Sequence, residues 1–251
     1  MTGTKQRLDV ELVDRSLAPS RERAQALIAA GLVEVDGERA RTAALRVTPD
    51  AGVRLLGRDH PWASRGGLKL VAALDAFAIS CERRVCLDAG ASTGGFTDVL
   101  LQRGARLVYA VDVGRGLLAS RLASDARVVV LDQTNLRHLR TVSGPAPDLV
   151  TLDLAFISLR TVMPAVVALT ARPADVVALF KPQFELGREA VGRGGVVRDQ
   201  ELARRSVASF LEWVAAEHGA RPRATPVESP IAGAKGNREW LVHFTLDVAA
   251  A

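Results

Sequence analysis

The sequence has few residues of the types that bind metals or exchange electrons. Its 251 residues include two cysteines and four histidines. Cys81 and Cys86 lack the Cys-x-x-Cys spacing of redox and zinc sites, and no histidine lies beside them in the sequence. The histidines, at positions 60, 138, 218 and 243, lack ligand spacing as well. We therefore predict no metal site and interpret both cysteines as reduced, structural thiols.

Long apolar segments are also missing. No stretch reaches the roughly 18 uninterrupted apolar residues that a membrane-spanning helix needs, and the first residues contain no apolar core of signal-peptide length. Hydrophobic residues make up 48% of the chain and charged residues 24%, which is typical of a soluble globular protein. We expect a cytoplasmic protein with no membrane partner, whose length favours one core domain plus a small module.

Lysine is scarce in this basic protein. The net charge is +5 and the pI about 9.8, which favours a polyanionic partner. Only four of the 33 basic residues are lysines, so arginine supplies most of the positive charge. A buried lysine can give up its proton, whereas an arginine cannot. Lys5 is interpreted as a solvated charge near the start of the chain. Lys69, Lys181 and Lys235 lie in motif-like surroundings, and Lys235, in a Gly-x-Lys-Gly-Asn turn, is interpreted as a phosphate contact or a cap of the hairpin.

Residues 7–56 predict a small module of two helices and short strands. Apolar side chains at helical spacing predict a first helix over 7–18, and Ser20 is a suitable N-cap for a second helix that Gly31 ends. Residues 32–35 alternate like a strand, and the pair Asp36-Gly37 indicates a hairpin turn. Residues 47–56 predict a further extended segment.

This order of features resembles the RNA-binding domain of ribosomal protein S-four, which several RNA-modifying enzymes share. The segments that carry the resemblance are Arg7-Leu8-Asp9, Leu17-Ala18, Ser20-Arg21 and residues 31–37. The resemblance implies that the helix pair presents basic residues to RNA phosphates, namely Arg7, Arg15, Arg21 and Arg23. The alternative is an ordinary solvated helix face, since the acidic residues of this segment bring its net charge near zero.

The stretch Val85–Thr97 predicts a strand, a glycine turn and a helix start. Glycines let the backbone approach a ligand, and a helix start offers unpaired N–H groups. The order Gly90-x-x-x-Gly94-Gly95 does not match the dinucleotide fingerprint, which argues against a nicotinamide oxidoreductase. Asp112 follows the next predicted strand, about 20 residues on, where nucleotide-binding folds contact a ribose.

Apolar strands alternate with helical segments from residue 85 to residue 180. This pattern predicts an α/β fold, a Rossmann-like parallel sheet with helices on both faces, beside the small α+β module at the N-terminus. One charged residue follows each successive strand, in the order Asp88, Asp112, Asp132, Asp153 and Lys181. Because ligands bind at the carboxyl ends of parallel strands, we expect these side chains to border one crevice.

The glycine turn and the acids before and after it resemble the S-adenosylmethionine site of class I methyltransferases. Sheets of that class end in an antiparallel hairpin, which residues 227–246 fit. The resemblance implies a set of cofactor contacts, namely Asp88, Gly90, Ala91, Ser92, Thr93, Gly94, Gly95, Phe96, Asp112, Val113, Asp132 and Asp153.

Four residues at predicted element ends resemble, in this order, the Lys-Asp-Lys-Glu tetrad of the FtsJ-like RNA ribose 2′-O-methyltransferases. They are Lys69, Asp153, Lys181 and Glu239. Longer segments resemble the TlyA family, which joins the same RNA-binding module to an FtsJ-like domain and methylates cytidine 2′-hydroxyls in ribosomal RNA. These segments are residues 64–69, 87–97, 156–159, 181–185 and 194–197.

The TlyA resemblance covers nearly the whole chain and implies its organisation. Residues 1–58 would be the RNA-binding domain, 59–64 a linker and 65–251 the methyltransferase domain. Lys181 would accept the proton of the ribose hydroxyl, and Asp153 would orient it beside the methyl donor. Lys69 and Glu239 would position the substrate and tune protonation. Arg65 joins the expected RNA contacts, and the partner would be ribosomal RNA or ribosomal subunits.

The chain departs from the family pattern at Arg115, Leu117 and Ala155, which flank the expected cofactor pocket. Members of the family have also been called haemolysins. A pore-forming protein would need an export signal or a membrane-active stretch, and the sequence shows neither. The alternative function is therefore an RNA-binding or haemolysin-like protein without methyltransferase activity.

Overall fold

The computed structural model describes residues 5–18, 20–29, 31–56, 60–187, 189–192 and 194–247. Its internal contacts divide the chain into two compact units, Met1–Pro61 and Trp62–Ala251. The division falls inside the linker predicted over residues 59–64.

The N-terminal unit is a small α+β structure. Its helices are α1 (Leu8–Asp14) and α2 (Arg21–Ala29), and its strands are β1 (Gln6–Arg7), β2 (Val33–Val35), β3 (Glu38–Arg39), β4 (Arg46–Val47) and β5 (Val53–Leu55). Strands β3, β2 and β5 form an antiparallel sheet, and β1 pairs with β4. The apolar faces of both helices meet in one core that includes Leu8, Leu12, Leu27 and Val33.

Local signals explain how these elements begin and end. The Ser20 hydroxyl accepts a hydrogen bond from the Arg23 N–H at 3.2 Å, as its predicted capping role requires. Asp36 and Gly37 both have positive φ, 51° and 88°, the backbone of a tight hairpin turn. The prediction of one extended segment over 47–56 was wrong, because a turn closed by the Ala51 N–H on the Thr48 carbonyl, at 3.0 Å, separates β4 from β5.

The C-terminal unit contains the main sheet. Its strands are β6 (Val85–Ala89), β7 (Leu107–Val111), β8 (Val128–Leu131), β9 (Leu149–Leu152), β10 (Ala174–Phe180), β11 (Ala220–Pro222), β12 (Val227–Glu228) and β13 (Trp240–Leu246). Its helices are α3 (Gly66–Ala76), α4 (Gly95–Gln102), α5 (Ser120–Ala123), α6 (Leu159–Leu169), α7 (Pro182–Glu185) and α8 (Gln200–His218), with two 3-10 turns at Leu136–His138 and Ala234–Gly236.

The strand order is β11-β13-β10-β9-β6-β7-β8, and β12 also pairs with β13. Strands β6 to β10 are parallel, whereas β13 is antiparallel to β10. Neighbouring strand residues point to opposite faces. Cys86 packs in the core under α3 and α4, and Leu87 packs in the core under α6 and α8. The predicted α/β sheet with helices on both faces is therefore confirmed.

Strand β6 marks the point where the chain changes direction across the sheet. The chain runs from β6 to β7 and β8, then returns to form β9 on the other side of β6. Ligands bind outside the carboxyl ends of the strands at such a switch point. Gly90 and Asp153, which follow β6 and β9, both lie there.

Candidate active site

The pairing of β10 with β13 brings two distant parts of the sequence together. Phe180 lies opposite Trp240 in this antiparallel pair. Lys181 directly follows Phe180, and Glu239 directly precedes Trp240, so both residues lie at the edge where the parallel strands end. The sheet topology thus explains why residues almost 60 positions apart flank one site.

Lys181 is paired with Asp153. The Lys181 ammonium donates to the Asp153 carboxylate at 2.6 Å and to the Leu154 carbonyl oxygen at 2.8 Å. The Lys181 side chain is 11% exposed and the Asp153 side chain 22%. Two acceptors therefore hold the lysine head group at the end of β9, in a largely dry environment.

Lys69 is paired with Glu239. It lies in the first turn of α3, as predicted, and its ammonium donates to the Glu239 carboxylate at 2.6 Å. The side chains are 11% and 3% exposed, respectively. The four predicted catalytic residues thus form two ion pairs, Lys69–Glu239 buried and Lys181–Asp153 partly buried, and the sum of their formal charges is zero. Each pair joins a lysine to an acid from a different part of the chain.

A cavity of about 490 Å³ lies at the switch point. Five of the predicted cofactor contacts line it: Gly90, Ser92, Asp112, Val113 and Asp153. Ligand cavities commonly have volumes of about 300–1,000 Å³. Because Asp153 both lines the cavity and pairs with Lys181, the cavity opens beside one of the two ion pairs.

Backbone N–H groups hold the Asp112 carboxylate in a fixed orientation. Ser92 donates to it at 2.8 Å and Gly114 at 2.7 Å. Asp112 lines the cavity at the end of β7, where nucleotide-binding folds contact ribose hydroxyls.

Five other predicted cofactor residues belong to the glycine turn and the start of α4, where they pack against the protein itself. Ala91 and Phe96 are buried in the core under α3 and α4. Gly94 is the N-cap of α4, with a φ of 95°, and packs against the side chains of Leu118 and Leu122. Gly95 is buried at the start of α4, and the Thr93 carbonyl accepts the Ala119 N–H at 3.3 Å. None of these five predicted contacts is among the residues that line the cavity.

Asp88 and Asp132, two further predicted cofactor contacts, are not among the residues that line the cavity. Asp88 is fully buried and accepts hydrogen bonds from the hydroxyls of Thr97, at 2.6 Å, and Thr151, at 3.3 Å. Burial raises the pKa of Asp88 to about 7. Asp132 accepts the Gly116 N–H at 2.7 Å. Asp88 therefore holds two threonine side chains in the core, and Asp132 holds the backbone turn at Gly116.

Leu117 and Ala155, which were expected to flank the cofactor pocket, line the cavity. Sequence reasoning missed other residues of its wall, namely Leu136, Arg137, Leu154, Phe156, Ile157 and Val162. The segment after β8 contributes because Asn135 caps the 3-10 turn at Leu136–His138, its side chain accepting the Arg137 N–H. The position of Asn135 just after a strand end was the signal that could have indicated its role. Val113 and Leu117 are 70% and 46% exposed, so part of the wall is uncovered apolar surface.

Three of the predicted RNA-binding arginines bind acids of their own unit. Arg7 and Arg21 both donate to the Asp9 carboxylate, at 2.9 and 3.0 Å, and Asp9 is fully buried. These partners hold the pKa of Asp9 far below its usual range. Arg15 pairs with Glu11 at 2.5 Å and donates to the carbonyl of Ala51 at 2.8 Å. The helix pair is therefore locally close to neutral at its surface.

Other arginines of the same unit are more available to a polyanion. Arg39, Arg41 and Arg46 are exposed and line an open groove of about 960 Å³ together with Lys5. Within the described ranges, neither Arg39 nor Arg41 forms an ion pair. In the C-terminal unit, Arg65 is exposed at the N-cap of α3. The predicted contact Arg23 is half-buried on α2.

Comparison with known proteins assigns both units to families. The FtsJ-like methyltransferase family matches residues 62–246, and the S4 domain matches residues 6–53. A Mycobacterium tuberculosis protein named 16S/23S rRNA (cytidine-2'-O)-methyltransferase TlyA is 49% identical over 94% of this chain and 88% of its own length. The chain belongs to the TlyA family.

Some relatives in the TlyA family have a different kind of name. Hemolysin A of Brachyspira hyodysenteriae is 36% identical over 96% of this chain and 100% of its own length. A solved structure from Streptococcus thermophilus, also described by a hemolysin name, is 38% identical and has a TM-score of 0.78, covering 97% of this chain and 89% of that one. In the described ranges of this TlyA-family chain, no helix has both the length and the apolar character needed to cross a bilayer.

Two further features of the described ranges bear on chemistry. They contain no group of three or more His, Cys, Asp or Glu side chains that could hold a metal ion. Cys81 and Cys86 are free and buried. Burial raises the pKa of Cys81 to about 11 and raises that of Cys86 further, so both are neutral thiols at physiological pH.

Proposed function

We propose that this protein transfers a methyl group from S-adenosylmethionine to the 2′-hydroxyl of a cytidine in ribosomal RNA. One observation carries the proposal: the Lys181–Asp153 ion pair, at 2.6 Å, lies at the rim of a cavity of nucleoside size. The relative that is 49% identical has this activity in its name. The family supplies the reaction class, and the geometry supports particular roles for the residues.

The cavity residues fit a nucleoside-containing methyl donor. The Asp112 carboxylate is positioned to accept hydrogen bonds from ribose hydroxyls. The exposed apolar side chains Val113 and Leu117 provide walls that an adenine ring would cover. Gly90 has no side chain and brings its backbone against the cavity. When bound, S-adenosylmethionine would supply the methyl group on a positively charged sulfur.

Methyl transfer to a ribose hydroxyl requires that the hydroxyl lose its proton. In the proposed step, the bond between O2′ and the methyl carbon forms as the bond between that carbon and sulfur breaks, and the O2′ proton moves to Nζ of Lys181. Lysine can play this part only as a neutral amine, which an arginine cannot become. Asp153 and the Leu154 carbonyl fix the Nζ atom of Lys181 in place.

The Lys69–Glu239 pair would position the target ribose. It lies next to Lys181 through the pairing of β10 with β13, and it is almost completely shielded from water. A carboxylate held by a lysine keeps a fixed orientation and can accept a hydrogen bond from a substrate hydroxyl. We assign positioning of the ribose and of its proton to Lys69 and Glu239.

The N-terminal unit would bind ribosomal RNA. In this proposal, the exposed Arg39, Arg41 and Arg46 contribute phosphate contacts in addition to Arg7, Arg15, Arg21, Arg23 and Arg65. Because phosphate contacts release counterions, binding of ribosomal subunits should weaken steeply with salt. A shallow salt dependence would count against this role of the unit.

The test is transfer of a tritiated methyl group from S-adenosylmethionine to isolated small and large ribosomal subunits, with identification of the labelled nucleoside. Wild type should produce 2′-O-methylcytidine. Lys181→Ala and Lys181→Arg should both lose at least about a hundredfold in kcat, because a general base commonly contributes at least that much. Lys181→Arg keeps the positive charge beside Asp153, so its inactivity would identify proton transfer as the missing function.

Cofactor binding to the same variants, measured by calorimetry, is the control. It should be retained, because Lys181 is not among the residues that line the cavity. Wild type that labels neither subunit while binding the cofactor would reject ribosomal RNA as the substrate. Label in a base, or in a nucleoside other than cytidine, would reject the proposed chemistry.

A further inference from the structure

Two loops pack against each other beside Glu239. The first is the glycine-rich loop, for which the structure describes residues 192 and 194–197. The Gly192 N–H donates to the Val196 carbonyl at 3.0 Å, and the Gly195 N–H donates to the Gly192 carbonyl at 2.9 Å. The second is the turn at residues 233–238, which leads directly into β13.

The Asn237 side chain, which belongs to the turn, forms hydrogen bonds with the glycine-rich loop. Asn237 is 3% exposed. Its side-chain oxygen accepts the Val197 N–H at 3.1 Å, and its side-chain nitrogen donates to the Gly195 carbonyl at 2.8 Å. Its own carbonyl accepts the Gly233 N–H at 2.8 Å. A single buried side chain therefore sets the distance between the loops.

The turn also touches the catalytic pair. A methyl group added to Gly233 would lie only 1.9 Å from the Glu239 carboxylate, so the backbone of the turn packs directly on that group. The backbone of the turn at Gly233 is therefore in contact with the Lys69–Glu239 pair.

Lys235 is an exposed, positively charged residue of this turn. Its φ of 59° is unusual for a residue with a side chain, and the residue is exposed. A methyl group added to Gly195 would come within 3.6 Å of the Lys235 Nζ atom, so the ammonium lies over the glycine-rich loop. Within the described ranges it forms no ion pair, whereas Arg238 on the same turn pairs with Glu228 at 3.3 Å.

We propose that Lys235 binds a backbone phosphate adjacent to the target ribose and that Asn237 positions Lys235 for this contact. The inference rests on the proposed function. An ammonium is a strong phosphate ligand, and the neighbouring glycines leave room for a backbone to approach. The Lys69–Glu239 pair is neutral as a unit and does not compete for the phosphate. The two loops thus form an anchor point for RNA beside the Lys69–Glu239 pair.

Steady-state methylation of isolated ribosomal subunits by Lys235→Ala is the main test. Arg204→Ala serves as the matched control, because it removes one exposed positive charge from the outer part of α8. Lys235→Ala should raise KM for the subunit about five- to tenfold while kcat at saturation changes less than twofold. The slope of log affinity against log salt should become shallower by about 0.7–0.9, the value for one lost phosphate contact.

Asn237→Ala tests the positioning role. It should raise KM in the wild-type background but change it less than twofold in the Lys235→Ala background, because Asn237 acts through Lys235. Thermal unfolding of each variant shows whether it is folded at the assay temperature. Lys235→Arg should recover most of the affinity, since it restores the charge.

Two results would overturn the inference. Lys235→Ala could match Arg204→Ala in both KM and salt slope, or the effects of Lys235→Ala and Asn237→Ala could simply add. Binding of the subunits measured without the methyl donor separates this outcome from failure of the proposed function. If wild type transfers no methyl group, the salt slopes of binding still decide whether Lys235 contacts a phosphate.

Discussion

The carbonyl oxygen of Asp153 lies against the α-carbon of Gly90. A methyl group added to Gly90 would be 2.4 Å from this oxygen, and the φ of Gly90 is 85°. The Asp153 N–H also donates to the Ala89 carbonyl at 3.0 Å. The turn after β6 and the acid after β9 are therefore in direct backbone contact, so the shape of the cavity and the position of Asp153 depend on each other.

Gly90→Ala should weaken cofactor binding more than tenfold and reduce methyl transfer further. The added methyl group would have to displace the Asp153 backbone, and with it the partner of Lys181. The backbone strain adds about 1–3 kcal/mol of destabilisation. Calorimetric titration with S-adenosylmethionine measures the first effect.

Gly219→Ala is the control for strain alone. Gly219 also has a positive φ, 63°, but nothing lies within 4 Å of the added methyl group. It should lose stability and keep its cofactor affinity. Equal losses of affinity in both variants would show that close approach to Asp153 does not matter.

Glu239→Gln should destabilise the protein by about 3 kcal/mol, because removal of one partner from a buried ion pair leaves an uncompensated charge. The double variant Lys69→Met/Glu239→Leu should recover most of this stability, since it buries no charge. Both variants should be inactive. Chemical denaturation and methyl-transfer assays on the three proteins provide the measurement. A double variant that is as unstable as Glu239→Gln would show that packing, not charge, is responsible.

Asp88 should make stability fall as pH rises toward neutrality. Burial raises its pKa in the folded protein to about 7, whereas an unfolded aspartate has a pKa of about 3.9. The folded state therefore binds this proton more tightly, and the associated stability is complete below about pH 4 and is lost as pH rises through about 7. The full difference corresponds to about 4 kcal/mol.

Asp88→Asn isolates this effect, because the amide oxygen can still accept the Thr97 hydroxyl hydrogen bond. Relative to wild type, the variant should gain stability between about pH 4 and pH 7, and the difference should level off above pH 7. Asp75→Asn, at an exposed ion pair with Arg103, should follow wild type throughout. Parallel curves for wild type and Asp88→Asn would assign the pH dependence to another group.

We expect Phe156 to lower the stability of the protein and to increase its activity. Its side chain is 91% exposed and its φ is 62°, an unfavourable combination for a large residue. The ring lies 5.2 Å from that of Phe184, at the wall of the cavity beside Leu154 and Asp153. An exposed aromatic ring at this position is available to stack on a base of the substrate.

Phe156→Gly should therefore be at least as stable as wild type, because glycine tolerates the positive φ, and should lose about tenfold in kcat/KM for ribosomal subunits, the value of one stacked base. Phe156→Tyr should keep the activity. Thermal melting and steady-state kinetics of the two variants provide the comparison. Full activity of Phe156→Gly would show that the ring does not contact the substrate.

The sequence predicted the local features of the site better than the contacts between its side chains. The glycine turn, the strand ends and the first-turn position of Lys69 could be read locally, because each depends on spacing within about ten residues. Which lysine pairs with which acid depends on strand order, which places β13 beside β10 and β9 beside β6. No local pattern encodes that order. The family resemblance linked Asp153 to Lys181 and grouped Lys69 with Glu239, and the structure shows that each of these two pairs is a direct contact.

Charge was the least predictable property. The arginines of the helix pair were interpreted as RNA contacts, yet Arg7 and Arg21 converge on Asp9, which is fully buried. Similarly, Asp88 was predicted to contact the cofactor but lies behind the turn. In both cases the sequence shows an ionisable residue at the position expected for a ligand contact. Burial and neighbouring side chains decide whether that residue faces the ligand or the protein interior.

The position of β13 has a consequence for how the protein becomes active. This last strand of the sheet fills the place between β10 and β11, and Glu239 at its start closes a pair with Lys69, 170 residues earlier. During synthesis, the earlier strands and helices can assemble while this place is empty. The lysine of α3 then has no acid to bind, and Lys181 borders an open slot. The Lys69–Glu239 pair can therefore form only when β13 has entered the sheet.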